Sequence, residues 1–292
     1  MKPAPFEYHA PSKVADAVGL LSEHGDDAKA LAGGQSLVPM LALRLARFDH
    51  LVDLGRIDEL RGVERADGVL RVAAMTPQAD AERDPTVAAS VPLLSRALPL
   101  IGHFQIRNRG TIGGSVAHAD PASELPAVAV ALGAEMEVSS RSGTRTIAAD
   151  DFFVGTWTTA LAPDDLLTAV RFPAWSGRVG FAIEEVTRRS GDFALAGVAC
   201  AVALDPDDVI ERVGLALLGM GPTPVRARAA ESALSGASPS DDDVGEIAEL
   251  AVADTSPVDD VHASGAYRKK VGAHLVRLAL DRALAEARSV RA

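Results

Sequence analysis

The chain has 292 residues, 48% of them hydrophobic and 24% charged, and 40 acidic side chains against 29 basic ones leave a formal net charge of −11. That length favours two domains over one core, and that charge repels polyanions at long range, which excludes nucleic acid and an anionic bilayer as electrostatic partners. One cysteine, Cys200, supplies neither the thiolate set of an iron–sulfur cluster nor a disulfide framework.

The opening MKPAPFEYHA carries prolines and an acid where an export signal needs an apolar run. The longest apolar run, 193–204, falls short of the roughly 20 residues that a membrane-crossing helix requires. The expectation is a cytoplasmic protein with no transmembrane segment, or one riding on a cytoplasmic complex that touches the inner face of the membrane.

In chain order, PSKVADAVGLLSEHG places Val14, Val18 and Leu21 at helical spacing, with Gly25 as a stop. AKALAGG reads as a short buried strand ending on two glycines. SLVPMLALRLARFDHLVDL reads as a helix behind Ser36 and then an inner strand. VERADGVLRVAAM is a hairpin around Asp67-Gly68. TPQADAERD starts a helix with Thr76 as cap and Pro77 at the first helical position, and VPLLSRALPLIG is a second short helix. Ser123 reads as the cap of ELPAVAVAL, with Glu124 at its start. AEMEVSSRSGTRTI is another hairpin, DDLLTAVRFP a strand ending at a proline, and PAWSGR, 173–178, a linker. Beyond it, DFALAGVACAVALD and RVGLALLGMG are strand-like, while DDDVGEIAELAVAD and SGAYRKKVGAHLVRLALDRALAEA are helical.

Two stretches share one grammar: AGGQS at 32–36 and TIGGS at 111–115 each set Gly-Gly between a small or apolar residue and a short polar one. Adjacent glycines permit positive φ and admit a ligand close to the backbone, whose successive amides then converge on an anion. A tight turn explains either stretch alone; the matched pair raises a diphosphate clamp beside that reading. No G-x-G-x-x-G follows a strand, since LLGMGPTPVRA lacks the third glycine, and no G-x-x-x-x-G-K-S/T occurs. His118, Asp120 and Glu124 offer ligand or acid–base chemistry on paper. A lone histidine beside two acids is more often a hydrogen-bonded structural residue, and no second ligand group has recognisable spacing. Neither a catalytic residue nor a metal site is expected.

AGGQSLVPMLALRLA, IGHFQIRNRGTIGGSVAHADPASELP, DFFVGTWTTALAPDDLLTAVRFP, RRSGDFALAGVA, LGMGPTPVRARAAESAL and HASGAYRKKVGAHLVRLALDRAL together span nearly the whole chain. In that order they resemble the medium, FAD-binding subunit of the molybdenum hydroxylases, the family of carbon monoxide dehydrogenase and the bacterial xanthine, nicotine and caffeine dehydrogenases. The resemblance implies an α+β fold. A two-lobed FAD-binding domain of the p-cresol methylhydroxylase and vanillyl-alcohol oxidase type would fill residues 1–175, in lobes of about 1–58 and 59–175. A flavoprotein C-terminal domain with a three-stranded antiparallel sheet and helices would fill 178–288. The resemblance further implies non-covalent FAD, a large partner subunit with the molybdenum cofactor and a small one with two 2Fe–2S clusters. Such subunits would assemble as a dimer of heterotrimers, passing electrons from the clusters through FAD to an external acceptor. A stand-alone flavin oxidoreductase and a cofactor-free scaffold of the same fold are the alternatives.

Residue by residue, the resemblance places Ala32, Gly33, Gly34, Gln35, Ser36 and Leu37 on the first diphosphate loop, and Thr111, Ile112, Gly113, Gly114 and Ser115 on the second. Ser115 stands where many relatives have Asn, and Glu124, where relatives often have Asp, is expected to bond toward the flavin or ribityl chain. Ile101, Leu166 and Leu167 match positions lining the cofactor. Phe193, in the loop TRRSGDF beside the flavin ring, stands where the carbon monoxide enzymes have Tyr. Glu184 and Glu185 occupy the place of a flavin-contacting lysine in some relatives, a departure that leans toward the N-heterocycle or ketone enzymes.

Overall fold

The computed structural model describes residues 2–238, 240–253 and 255–290. The N-terminal lobe is a parallel sheet of β1 (Glu7–His9), β2 (Ala28–Leu31) and β3 (His50–Asp53) in the order β1-β3-β2. Helix α1 (Val14–His24) covers it, burying Ala17, Val18 and Leu21 against Val52 and Leu54, and stops at Gly25 with φ 53°. Helix α2 (Leu37–Ala42) starts behind Ser36 on the crossover from β2 to β3.

The second lobe is an antiparallel sheet of β4 (Val63–Ala66), β5 (Val69–Ala73), β6 (Glu135–Ser140), β7 (Gly143–Ala148) and β10 (Leu166–Pro173), in the order β4-β5-β10-β6-β7. A small ribbon, β8 (Phe153–Gly155) with β9 (Thr158–Thr159), lies between β7 and β10 in the chain. At the β4–β5 turn Asp67 and Gly68 have φ 50° and 74°, the positive pair that a two-residue hairpin turn demands. Short helices α3 (Gln78–Arg83), α4 (Pro85–Ser90), α5 (Pro92–Ala97), α6 (Phe104–Arg107), α7 (Ile112–His118), α8 (Glu124–Leu132) and α9 (Ala149–Phe152) fill this lobe.

Two expected caps are not formed. Helix α3 opens behind Pro77, and the Thr76 hydroxyl instead donates to the Gly62 carbonyl at 3.0 Å while accepting the Gly62 amide at 3.0 Å. Ser123 holds the N-cap position of α8 with no side-chain bond, and the nearby turn is fixed by Asp120, whose carboxylate accepts the Ala122 amide at 2.9 Å.

The C-terminal part is an antiparallel sheet of β11 (Arg178–Val186), β12 (Ala196–Leu204), β13 (Ile210–Leu218) and β14 (Val225–Arg226), followed by α10 (Arg228–Leu234), α11 (Asp241–Ala253) and α12 (Gly265–Ser289). The expected three strands are the nine-residue β11, β12 and β13, and the two-residue β14 adds a fourth at the edge. The apolar pattern did not announce β11, because a glycine and two glutamates interrupt it. The connector before it is anchored: Trp175 is buried, with the Arg212 guanidinium 4.0 Å from the ring centre.

Strand β12 is buried on both faces, which explains its unbroken apolar run. Ala199, Ala201 and Ala203 join the core that contains α8, whereas Val198, Cys200 and Val202 join the core that contains α12. The alanine face lets a helix of the first domain sit directly on this sheet. Arg96 on α5 pairs with Glu286 on α12 at 2.6 Å, and the same carboxylate accepts the Phe181 amide at 2.9 Å, latching the two parts together.

Gly214 on β13 marks the tightest approach, for a Cβ there would overlap the Ala131 carbonyl of α8. Gly214→Ala is therefore expected to cost about 1–3 kcal/mol through overpacking, read as a melting temperature several degrees lower. Gly19→Ala, inside α1 with nothing within 4 Å of the added carbon, is expected to add up to about 1 kcal/mol of stability through helix propensity, read as a higher melting temperature. Equal melting temperatures for the two variants would contradict this account of the domain contact.

Candidate cofactor-binding cleft

The AGGQS loop leaves the C-terminal end of β2 and faces the segment 109–114 of the second lobe. A Cβ on Gly33 would overlap the Arg109 carbonyl and lie 2.8 Å from the Gly110 Cα. One on Gly114 would lie 2.6 Å from Thr111 Oγ1 and 3.1 Å from the Ala32 Cβ. The two glycine stretches thus meet, and a cleft of about 590 Å³ opens beside them. Ala32, Gly33, Gly34, Gln35 and Thr111 from the expected set line it.

The two stretches do different work. Among the described residues, the amides of Gly33, Gly34, Gln35, Ser36 and Leu37 have no acceptor within the protein. Gly34, with φ 74°, supplies the one positive φ that bends them into a single concavity. The second stretch corrects the expectation of a matching loop: residues 112–115 are the first turn of α7. The Ile112 amide donates to Thr76 O at 3.0 Å, that of Gly113 to Ala74 O at 2.9 Å, and that of Ser115 to Thr111 O at 3.1 Å. The Gly114 amide donates to the capping hydroxyl of Thr111 at 3.0 Å. Gly113 and Gly114 are needed for close approach, since Ala74 and Ala32 occupy the space a side chain would take. Ile112 is fully buried, and Ser115 is partly buried.

Four polar or charged lining residues lay outside the expected set. Arg61 and Arg109 bring cationic groups to the cleft, Asp53 an anionic one and Asn108 an amide. Arg61 Nη2 donates to Gly55 O at 3.2 Å, and Asp53 accepts the Gly55 amide at 2.8 Å. Asp53 closes β3 just as the glycines close β2, so the ends of parallel strands were the available signal.

The other expected residues lie around this centre. Ile101 is partly buried on the main core, and its carbonyl accepts from Arg107 Nη1 at 3.0 Å. Leu166 and Leu167 are both buried, but alternation along β10 sends Leu166 into the N-terminal core and Leu167 into the main one. Phe193 is 60% exposed on a loop whose Gly191, at φ 84°, leaves no room for a Cβ: it would lie 2.6 Å from the His103 ring. His118 stacks on Trp157 with ring centres 6.4 Å apart, and the Trp157 indole donates to Asp120 at 3.1 Å. Burial lowers the His118 pKa, against the pull of Asp120.

Glu124 begins α8 and is buried, away from the residues that line the cleft. Burial pushes its carboxyl up to about 8, and the charges of Glu185 and Asp120 add to the shift. Burial likewise pushes Glu185 up to about 7. Its neighbour Glu184 points the other way and is paired with Arg282 of α12. Cys200 is fully buried, with its thiol pushed up to about 12, so it offers no reactive thiolate.

Two lobes that close on a run of unpaired amides, backed by a sheet-and-helix domain, define a protein built to hold a phosphorylated cofactor between backbones. Residues 4–175 match the family described as FAD binding domain in molybdopterin dehydrogenase, and residues 181–283 match the CO dehydrogenase flavoprotein C-terminal domain. The carbon monoxide dehydrogenase medium chain of Hydrogenophaga pseudoflava is 39% identical, over 98% of this chain and 99% of that one. Subunit alpha of the 6-hydroxypseudooxynicotine dehydrogenase complex of Paenarthrobacter nicotinovorans is also 39% identical, over 100% and 98%. Equal identity does not separate the carbon monoxide enzymes from the others. A solved structure of the H. pseudoflava carbon monoxide dehydrogenase, in a form lacking the Mo-pyranopterin moiety, superimposes with a TM-score of 0.96 at 40% identity, covering 98% of this chain and 99% of that one. The chain belongs to the family of FAD-binding medium subunits of the molybdenum hydroxylases.

The shifted carboxyl of Glu124 gives a pH test. An acid whose folded pKa lies above its unfolded value keeps its proton in the folded chain where the unfolded chain has lost it. Its contribution is complete below the unfolded value of roughly 4.3 and is lost as pH rises toward about 8. In the FAD-free chain, Glu124→Gln is expected to raise the melting temperature at pH 8 and to flatten its fall from pH 5. Parallel melting curves for variant and parent across that range would show an ordinary carboxyl.

Proposed function

We propose that this chain binds FAD without a covalent bond and carries electrons from the 2Fe–2S clusters of a small partner subunit to an external acceptor. A large partner subunit would hold the molybdenum cofactor. The observation that carries the reading is the run of unpaired amides from Gly33 to Leu37 at a cleft shared by two lobes. Those donors fit a diphosphate, which a net-anionic molecule must hold locally. Bound FAD supplies the step between one-electron and two-electron carriers; the protein positions it and shuts out competing chemistry.

In this reading Ala32, Gly33, Gly34, Gln35, Ser36 and Leu37 hold the diphosphate. Thr111, Ile112, Gly113, Gly114 and Ser115 form the opposing wall, Arg61 and Arg109 add positive charge, and Glu124, Ile101, Leu166, Leu167 and Phe193 stand toward the flavin side. The division into an FAD-binding domain over 1–175 and a C-terminal domain over 178–288 belongs to the same proposal. So do the dimer of heterotrimers and the cytoplasmic location; no helix among the described residues is long and apolar enough to cross a membrane. A cofactor-free scaffold is disfavoured because it would leave the amides from Gly33 to Leu37 with nothing to bind at the cleft.

Purified protein is expected to be yellow and to release FAD, not FMN, on denaturation. In Gly114→Asp the new side chain crowds Thr111 and Ala32 and adds a negative charge to the wall facing the amide run, where like charges repel, so FAD affinity should fall roughly tenfold or more. Titration of the stripped chain with FAD, followed by flavin fluorescence, measures this, with circular dichroism confirming the fold. A parent chain that stays colourless with excess FAD, or a variant with unchanged affinity, would sink the assignment.

A further inference from the structure

The N-terminal lobe gathers three of the chain's seven histidines at one point. His9 closes β1, His24 is the last residue of α1, and His50 opens β3. All three are half-buried, and one ligand nitrogen of each lies within 4.8 Å of the other two. His9 Nε2 and His50 Nδ1 are 3.2 Å apart, and the Glu7 carboxylate lies 3.7 Å from His50 Nδ1. The rings of His24 and His50 stack with centres 3.7 Å apart, and His9 stands 5.6 and 5.4 Å from them.

We infer that His9, His24 and His50 form a binding site for a borderline divalent cation of the Zn²⁺ class, with Glu7 as the fourth ligand. Imidazole and carboxylate are the ligands such ions take, and a tetrahedral ion about 2.0–2.1 Å from each nitrogen holds two nitrogens about 3.3 Å apart. The His9–His50 pair already has that spacing. Coordination needs His24 to turn out of its stack, a side-chain rotation at the end of a helix. Acids neighbour the cluster in the chain, Asp26 and Asp27 after His24 and Asp49 before His50, so the local charge favours a cation. Arg47, paired with Asp49 at 3.6 Å, and Lys29, over the Phe48 ring, are the basic groups of that region.

The cluster is distinct from the FAD cleft. The three strands are parallel, and His50 sits beside Ala28 at the start of β2, whereas the glycines follow the end of β2 and Asp53 ends β3. A bound ion would tie the N-terminal strand to α1 and β3 and so act as a structural clip. The sequence expectation of no metal site missed it because the three histidines lie far apart with no motif spacing.

The test uses the tag-free full-length chain, stripped with a chelator and titrated with Zn²⁺ by calorimetry, with melting temperature as a second readout. The expected result is one Zn²⁺ per chain and a raised melting temperature. His24→Ala and His50→Ala should each weaken binding roughly tenfold or more. His274→Ala, on the exposed face of α12, should change nothing. Co²⁺ added to the unaltered chain should give the visible bands of a four-coordinate nitrogen–oxygen site, a readout independent of any variant's folding. Absence of stoichiometric Zn²⁺ and Co²⁺ binding, or retention of parent affinity by folded His24→Ala and His50→Ala, would overturn the site.

Discussion

Backbone contact between the two lobes of the first domain governs the rest of the molecule. Gly33 lies against the Arg109 carbonyl and Gly114 against the Ala32 Cβ. Remove any of those absences of a side chain and the lobes must part. The contact also explains why the amides on one side remain unpaired. The 74–78 segment accepts the amides of Ile112 and Gly113 and donates the Gln78 amide to the Gly110 carbonyl, a local ladder with 110–113 that makes the second wall rigid. The first wall, bent at Gly34, is left with its donors unpaired beside the cleft.

Electrostatics gives that arrangement its purpose. At a net charge of −11 the molecule as a whole repels an anionic ligand. Amides are fixed partial charges that neither titrate nor move, and they act within hydrogen-bond range, where the distant field matters little. Two arginines reinforce them and one aspartate opposes. Behind this centre, Glu124 of the first domain and Glu185 of the second titrate near neutrality because burial disfavours their charged forms. That burial comes from the docking of α8 on the C-terminal sheet, so the domain contact sets the charge state of both acids.

What was legible in the sequence is what short-range chemistry decides. Asp67-Gly68 announced a hairpin because only positive φ fits its turn, and the apolar spacing of Val14, Val18 and Leu21 announced α1. Thr76 looked like a cap, but a tertiary bond to Gly62 claimed its hydroxyl. TIGGS looked like the twin of AGGQS; its neighbours in space, Ala74 and Thr76, took its amides and made it a helix turn. Arg61, Asn108 and Arg109 reach the cleft only through the lobe packing, and the three histidines converge only through parallel strand order. Local pattern raised the pairing of the two glycine stretches as a clamp, and the family resemblance made FAD the expected ligand.

Substrate choice has no visible seat in this frame. The two relatives at equal identity are named for unrelated substrates, carbon monoxide and a nicotine derivative, so what this chain shares with both cannot be what distinguishes them. The features this chain itself offers, the amide run, the glycine contacts and the sheet under α8, lie in backbone and in the joint between the two parts. The sole thiol is sealed between β12 and α12, and the two shifted acids arise from the same joint. Backbone amides present the same donors whatever side chains they carry, so a cleft walled by them holds little that could tell one substrate from another.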